Sequence, residues 1–152
     1  MSELPLSGIR VLDISWIIAG PTSTRYLAAM GAEVIKVEPY GGNSTRQIGP
    51  FYKGQKSPDT SLFFWQYNRG KTSIILDLHQ QEDRDYLCAL VASSDVFLNS
   101  TPSKELEEIG VSIDMLLERN PTLIVARMSP FGDHGPWADF KGSDLVHLAL
   151  GG

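Results

Sequence analysis

Apolar and polar positions run through this chain in two alternating periods. IRVLDI (residues 9–14) is a short, β-branched apolar run of the kind that lies buried within a sheet. AGP at residues 19–21 makes a turn whose proline is well placed to open a helix. TSTRYLAAM carries that helix to Met30, and Gly31 stands where a left-handed residue closes one. AEVIKVE (32–38) reads as a second strand and TSIILDL (72–78) as a third. Between them, residues 39–58 are rich in Gly, Pro, Ser and Lys and read as loop. Leu62, Phe63 and Trp65 then mark a short helix before Asn68.

The second half repeats the alternation. An amphipathic helix from about Gln81 to Ser93 presents Tyr86, Leu87, Leu90 and Val91. VFL (96–98) is a fourth strand. Thr101-Pro102 opens a helix that ends at Gly110, and Ser112 caps another that stops at Asn120-Pro121. TLIVARM (122–128) is a fifth strand, and KGSDLVHLAL begins a last helix at Ser143 or Asp144. Strands and helices this closely spaced form crossovers in a parallel sheet. The pattern therefore predicts an α/β fold, a Rossmann-like open, mostly parallel sheet with flanking helices. No repeat, low-complexity tract or linker divides the 152 residues, so one domain over 1–152 is expected.

Composition narrows the class. The chain is 42% hydrophobic and 20% charged, as in ordinary globular domains. A single cysteine, Cys88, excludes an internal disulfide and suits a reducing compartment. No signal peptide and no apolar run near the ~20 residues of a membrane span is evident, so a cytoplasmic chain with no membrane partner is expected. The net charge of −5 argues against nucleic acid as a partner. Six basic residues against two acids lie between Lys36 and Lys71, on an otherwise acidic chain. That stretch is either a basic region for a polyanionic small ligand or a solvated surface.

Few motifs carry chemistry outright. Glu38 ends the second strand where a ribose-binding acid would sit, but AGPTST has one glycine where a dinucleotide turn needs three. Pro21 also removes a backbone N–H from that turn. His79, His134 and His147 have no second ligand at zinc spacing, so no metal is expected. Cys88 reads as a buried structural thiol. Asp133-His134 is either a turn with a stabilising aspartate or an acid–base pair. Asp144 either caps the last helix or serves a ligand site beyond the fifth strand, and Lys141 either pairs with it or reaches a phosphate.

The blocks LSGIRVLDIS, AGPTSTRYLAAMGAEVIKVE, NRGKTSIILDL, SSDVFLNS, ERNPTLIVARMSPFGDHGPW and KGSDLVHLALGG occur in this order. Together they resemble the N-terminal part of family III CoA-transferases, the group of formyl-CoA and carnitine CoA-transferases and α-methylacyl-CoA racemase. The resemblance implies a CoA-transferase that moves coenzyme A from an acyl-CoA donor to a carboxylic acid acceptor. An aspartate attacks the thioester to give a mixed anhydride, and an aspartyl-CoA thioester follows. In the family that aspartate lies in a Gly-Asp motif beyond the Gly-Gly pair. It is therefore expected outside these residues, with Asp144 in a supporting role and residues 1–152 alone inactive.

The resemblance also implies CoA contacts at Trp16, Ile17, Ile18 and Ala19, and at Leu76, Asn99 and Lys141. Pro39, His79 and Glu108 stand at or near basic positions of relatives, and Arg46, Arg69 and Lys71 are candidates to compensate for them. Ser143 stands where racemase-like members carry a histidine, which favours transfer over racemisation. Implied partners are an acyl-CoA, an acceptor acid and a second copy in an interlocked homodimer. The alternatives are a racemase-type epimerase and a non-catalytic CoA-binding or dimerisation module.

Overall fold

The structure, a computed structural model, describes residues 4–138 and 140–151. Gly152, half of the glycine pair in the resemblance above, lies outside the described residues. The first strand, β1 (Arg10–Asp13), pairs in parallel with β2 (Glu33–Glu38), and β2 with β3 (Thr72–Ile75). On its other side β1 pairs with β4 (Val96–Asn99), and β4 with β5 (Ile124–Arg127). The order β3-β2-β1-β4-β5, parallel throughout, is the expected Rossmann-like sheet.

Alternation along the strands sorts the helices onto two faces. Leu12, Ile35, Val37 and Phe97 pack with Leu87 and Val91 of α3 (Gln81–Ala92), Leu106 of α4 (Ser103–Glu108) and Leu116 of α5 (Ile113–Arg119). Val11 and Val34 face Leu27 and Ala28 of α1 (Ala19–Ala29), which α2 (Leu62–Asn68) backs. That second apolar patch is small, and polar side chains continue it. The last helix is α6 (Asp144–Gly151).

Local chemistry explains the element ends. Gly31, at φ 104°, closes α1 while the Ala32 N–H reaches Leu27 O at 3.0 Å, a left-handed C-terminal cap. Ser112 Oγ accepts from the Met115 N–H at 3.2 Å and opens α5. The third strand stops at Ile75 instead of running to Leu78. Asp77 Oδ1 accepts from the His79 N–H at 3.1 Å, folding the chain into a turn. The loop expected over 39–58 contains two 3₁₀ turns, Ser44–Gln47 and Tyr52–Gly54, the first capped by Asn43. On α3, Leu87 and Val91 are fully buried, whereas Tyr86 is exposed and Cys88 is only half-buried at the core edge. Among the described residues no helix is long and apolar enough to cross a membrane.

A candidate ligand cleft at the carboxyl ends of the strands

Two successive strands lie to one side of β1 and two to the other, so the loops leaving β1 and β4 diverge. Such a reversal leaves a crevice beyond the carboxyl ends of the strands. Here it is a cleft of about 620 Å³. Ile14, Val37 and Leu76 form its floor at the ends of β1, β2 and β3. Trp16, Pro39, Pro102, Leu106 and Ile109 also line it. Asp77, His79, Glu105 and Glu108 are the ionisable groups at its edge, with buried Glu38 behind.

The loop after β1 is held in an uncommon shape. The Trp16 N–H donates to Ser100 Oγ at 2.7 Å, joining the two diverging loops. Ile17 sits at φ 60°, in the left-handed region that a β-branched residue rarely adopts. Ile17 and Ile18 are exposed at the start of α1, which begins without a side-chain cap or an acidic residue in its first turn.

On the opposite sheet face a buried ionic cluster braces this loop. Asp13, fully buried, accepts at Oδ1 from the Ser15 N–H at 2.8 Å, Ser15 Oγ at 2.5 Å and Lys36 Nζ at 3.2 Å. Its Oδ2 accepts from Thr24 Oγ1 at 2.6 Å and Lys71 Nζ at 3.0 Å. Lys36 Nζ also donates to Ser15 O, and Lys71 Nζ to Pro21 O and Asn68 Oδ1. Burial pushes the Asp13 carboxyl up, but Lys36, Lys71, Ser15 and Thr24 outweigh it and hold it below the usual range. One carboxylate cannot offset burial of two ammonium groups, so both lysines are lowered, Lys71 to about 8.

Glu38 forms a second cluster. Arg46 Nε and Nη2 grip its two oxygens at 2.6 and 2.7 Å, and the Asn43 N–H donates at 2.7 Å. The Ser73 hydroxyl completes the shell, and the guanidinium lies 3.7 Å over the Phe64 ring. Burial raises the Glu38 carboxyl, yet Arg46, Ser73 and the Asn43 amide bring it below its ordinary value. Glu38 is thus committed to Arg46, and the ribose-acid role is not available to it.

The structure divides the sequence-predicted residues. Trp16 and Leu76 meet in the cleft, with Pro39, His79 and Glu108 beside them. Ile17, Ile18 and Ala19 follow Trp16 at the start of α1. Asn99 is buried and turns back on its own loop, donating to Thr101 O at 3.0 Å and accepting from the Thr101 N–H at 2.7 Å. Lys141 and Asp144 are exposed before and at the start of α6 and do not line the cleft. Ser143, rather than Asp144, caps that helix, accepting from the Val146 N–H at 3.4 Å. Asp133 is engaged by Arg127 Nη2 at 2.9 Å, which answers the Asp133-His134 alternative in favour of a structural aspartate. Half of the basic stretch is internal, because Lys36 and Lys71 pair with Asp13 and Arg46 with Glu38, while Lys53, Lys56 and Arg69 are exposed. Neither Arg46 nor Lys71 is therefore free to compensate for missing ligand contacts. Sequence reasoning missed Asp13 altogether. Its only signal was an acid inside an otherwise apolar strand.

Comparison with known proteins bears on this cleft. Residues 6–152 match the family described as CoA-transferase family III. The chain is 39% identical over 148 residues to "Probable fatty acyl-CoA transferase Rv3272" of Mycobacterium tuberculosis. It is 39% identical over 151 residues to the succinate–glutarate CoA-transferase of Agrobacterium fabrum. Each alignment covers 97% of this chain but only 37% and 38% of the relative. A CAIB/BAIF family protein from Brucella suis superposes with a TM-score of 0.90 at 34% identity, over 99% of this chain and 40% of that one. The crystal structure of Rv3272 gives 0.86 at 38% identity, over 98% and 40%.

Proposed function

Because the chain belongs to CoA-transferase family III, we propose that it forms the CoA-binding region of an enzyme that moves CoA from an acyl-CoA to a carboxylic acid. The cleft carries this reading. It lies where open parallel sheets take nucleotide ligands, and its lining includes Trp16 and Leu76, two positions the family resemblance implies as CoA contacts. Trp16, Ile17, Ile18 and Ala19 would line one side of the bound CoA and Leu76 its floor. Asn99 shapes the loop that carries Ser100, through its two bonds to Thr101. Lys141 and Asp144, both exposed, would serve the ligand outside the cleft, with Asp144 in a supporting role.

The chemistry proposed is nucleophilic catalysis by a carboxylate. An aspartate outside these 152 residues attacks the thioester carbonyl and expels the CoA thiolate, giving an acyl anhydride. The thiolate returns to the aspartyl carbonyl, releases the first acid and leaves an aspartyl-CoA thioester. The acceptor carboxylate then repeats the sequence in reverse and leaves as the new acyl-CoA. Asp13 is no substitute for that nucleophile, since it is fully buried among lysines. Ser143 caps α6, and its hydroxyl is no base near neutral pH, which supports transfer rather than epimerisation. Assembly as a homodimer belongs to the same proposal.

Calorimetric titration with CoA and acetyl-CoA tests the binding, and isotope transfer from labelled acyl-CoA to a panel of dicarboxylic acids tests the reaction. Saturable CoA binding without turnover is expected of residues 1–152 alone. Absence of CoA binding, or transfer catalysed by these residues alone, would overturn the reading.

A further inference from the structure

From the charge on the cleft walls we infer that this site takes its ligand by an uncharged part and turns phosphate away from its mouth, with Glu105 and Glu108 as the discriminating residues. The inference rests on the CoA-binding reading and makes it more specific: the 3′-phosphate of CoA weakens binding here.

The floor is apolar, formed by Ile14, Val37 and Leu76. Glu105 and Glu108 lie three residues apart on α4, which puts both on one helical face, and both line the cleft. Lys104 stands one turn before Glu108 on α4 and is not part of the lining. Asp77 adds a third carboxylate to the lining, where its Oδ1 also accepts from the His79 N–H. Among the described residues, none of these three acids enters an ion pair. Among the described residues the lining includes no lysine or arginine, and His79 is its one basic side chain. Lys36, Arg46 and Lys71 are tied to Asp13 and Glu38. A ring with hydrogen-bond donors suits such a slot, because carboxylates accept and do not donate. A phosphate at its rim meets three carboxylates against one imidazole.

The test is calorimetry on the protein with CoA, 3′-dephospho-CoA and adenosine. Dephospho-CoA is expected to bind roughly threefold to tenfold more tightly than CoA at low salt, a range set by exposed like charges a few ångströms apart. The gap should close in 0.5 M NaCl as roughly one Debye length shrinks to a few ångströms. The paired variant Glu105→Gln with Glu108→Gln should close it at low salt as well; both side chains are exposed, so the fold tolerates the change. Equal affinity for the two nucleotides, a preference for CoA, or a gap that survives in the paired variant overturns the inference and leaves the CoA reading standing. Failure of both nucleotides to bind overturns the two together.

Discussion

Asp13 is a single negative charge shared by two buried lysines, and its removal leaves both without a partner. The variant Asp13→Asn keeps the size and is expected to lose about 3–5 kcal/mol at pH 7, measured by urea unfolding. That loss should shrink toward pH 10, where the lysines can shed their protons. Lys71 gives the sign independently. Its folded pKa of about 8 lies below its ordinary 10.5, so between these values the unfolded chain holds the extra proton. Native stability from Lys71 therefore rises with pH across that window, and a Lys71→Met variant should lack the rise when its urea midpoints are compared with wild type. The Asp13 carboxyl has the same sign in a lower pH window, because its folded value is also lowered. Its contribution is complete above the ordinary carboxylate range and is lost as the pH falls through its lowered folded value. Ile17 makes a contrasting case, since its left-handed backbone costs about 1–2 kcal/mol. Ile17→Gly is expected to gain up to about 1 kcal/mol in stability, after the entropy that glycine adds to the unfolded chain. It should weaken CoA binding at the same time, read by calorimetry beside the melting curve.

At the scale of elements, burial patterns are local, and this is why all five strands and the flanking helices were legible in the sequence. The errors lie at the ends, where one side chain decides. Asp77 folds the third strand into a turn, and no apolar count along TSIILDL announces that. Gly20 is the sharper example. In the sequence it invites comparison with a phosphate-cradling glycine. In the structure its importance is steric, because a Cβ there would stand 2.1 Å from Ser15 Oγ and 3.0 Å from Leu98. The glycine lets α1 lie close on β1 and β4 at the point where Ser15 is bound to Asp13. Helix propensity alone would make Gly20→Ala favourable by about 1 kcal/mol. Overpacking against Ser15 should reverse that sign, to a net loss of about 1–3 kcal/mol in thermal or urea unfolding.

The whole molecule brings together what no local window contains. The salt bridge from Lys71 to Asp13 spans 58 residues, and neither partner carries a mark that points to the other. The cleft was legible in outline, because parallel winding with a reversal of strand order places it, and Trp16 and Leu76 arrive there together. Asn99 was not legible in the same way: its position at the end of β4 faces the ligand region, yet its amide is spent on Thr101. Linkage separates these two kinds of residue. A ligand that binds only the folded protein, at one hundred times its Kd, raises the unfolding free energy by about 2.7 kcal/mol. Trp16→Ala removes a cleft wall, so most of the CoA-induced increment should vanish while the unliganded melting point changes little. Asn99→Ala leaves the Thr101 amide and the end of β4 unbraced, so unliganded stability should fall by about 1–3 kcal/mol. The CoA increment at the same ligand concentration should survive in that variant. Melting curves with and without CoA, at one ligand concentration fixed at about one hundred times the wild-type Kd, read both quantities at once. An Asn99→Ala protein that keeps its unliganded stability and loses the increment would place that amide on the ligand instead of on its own loop.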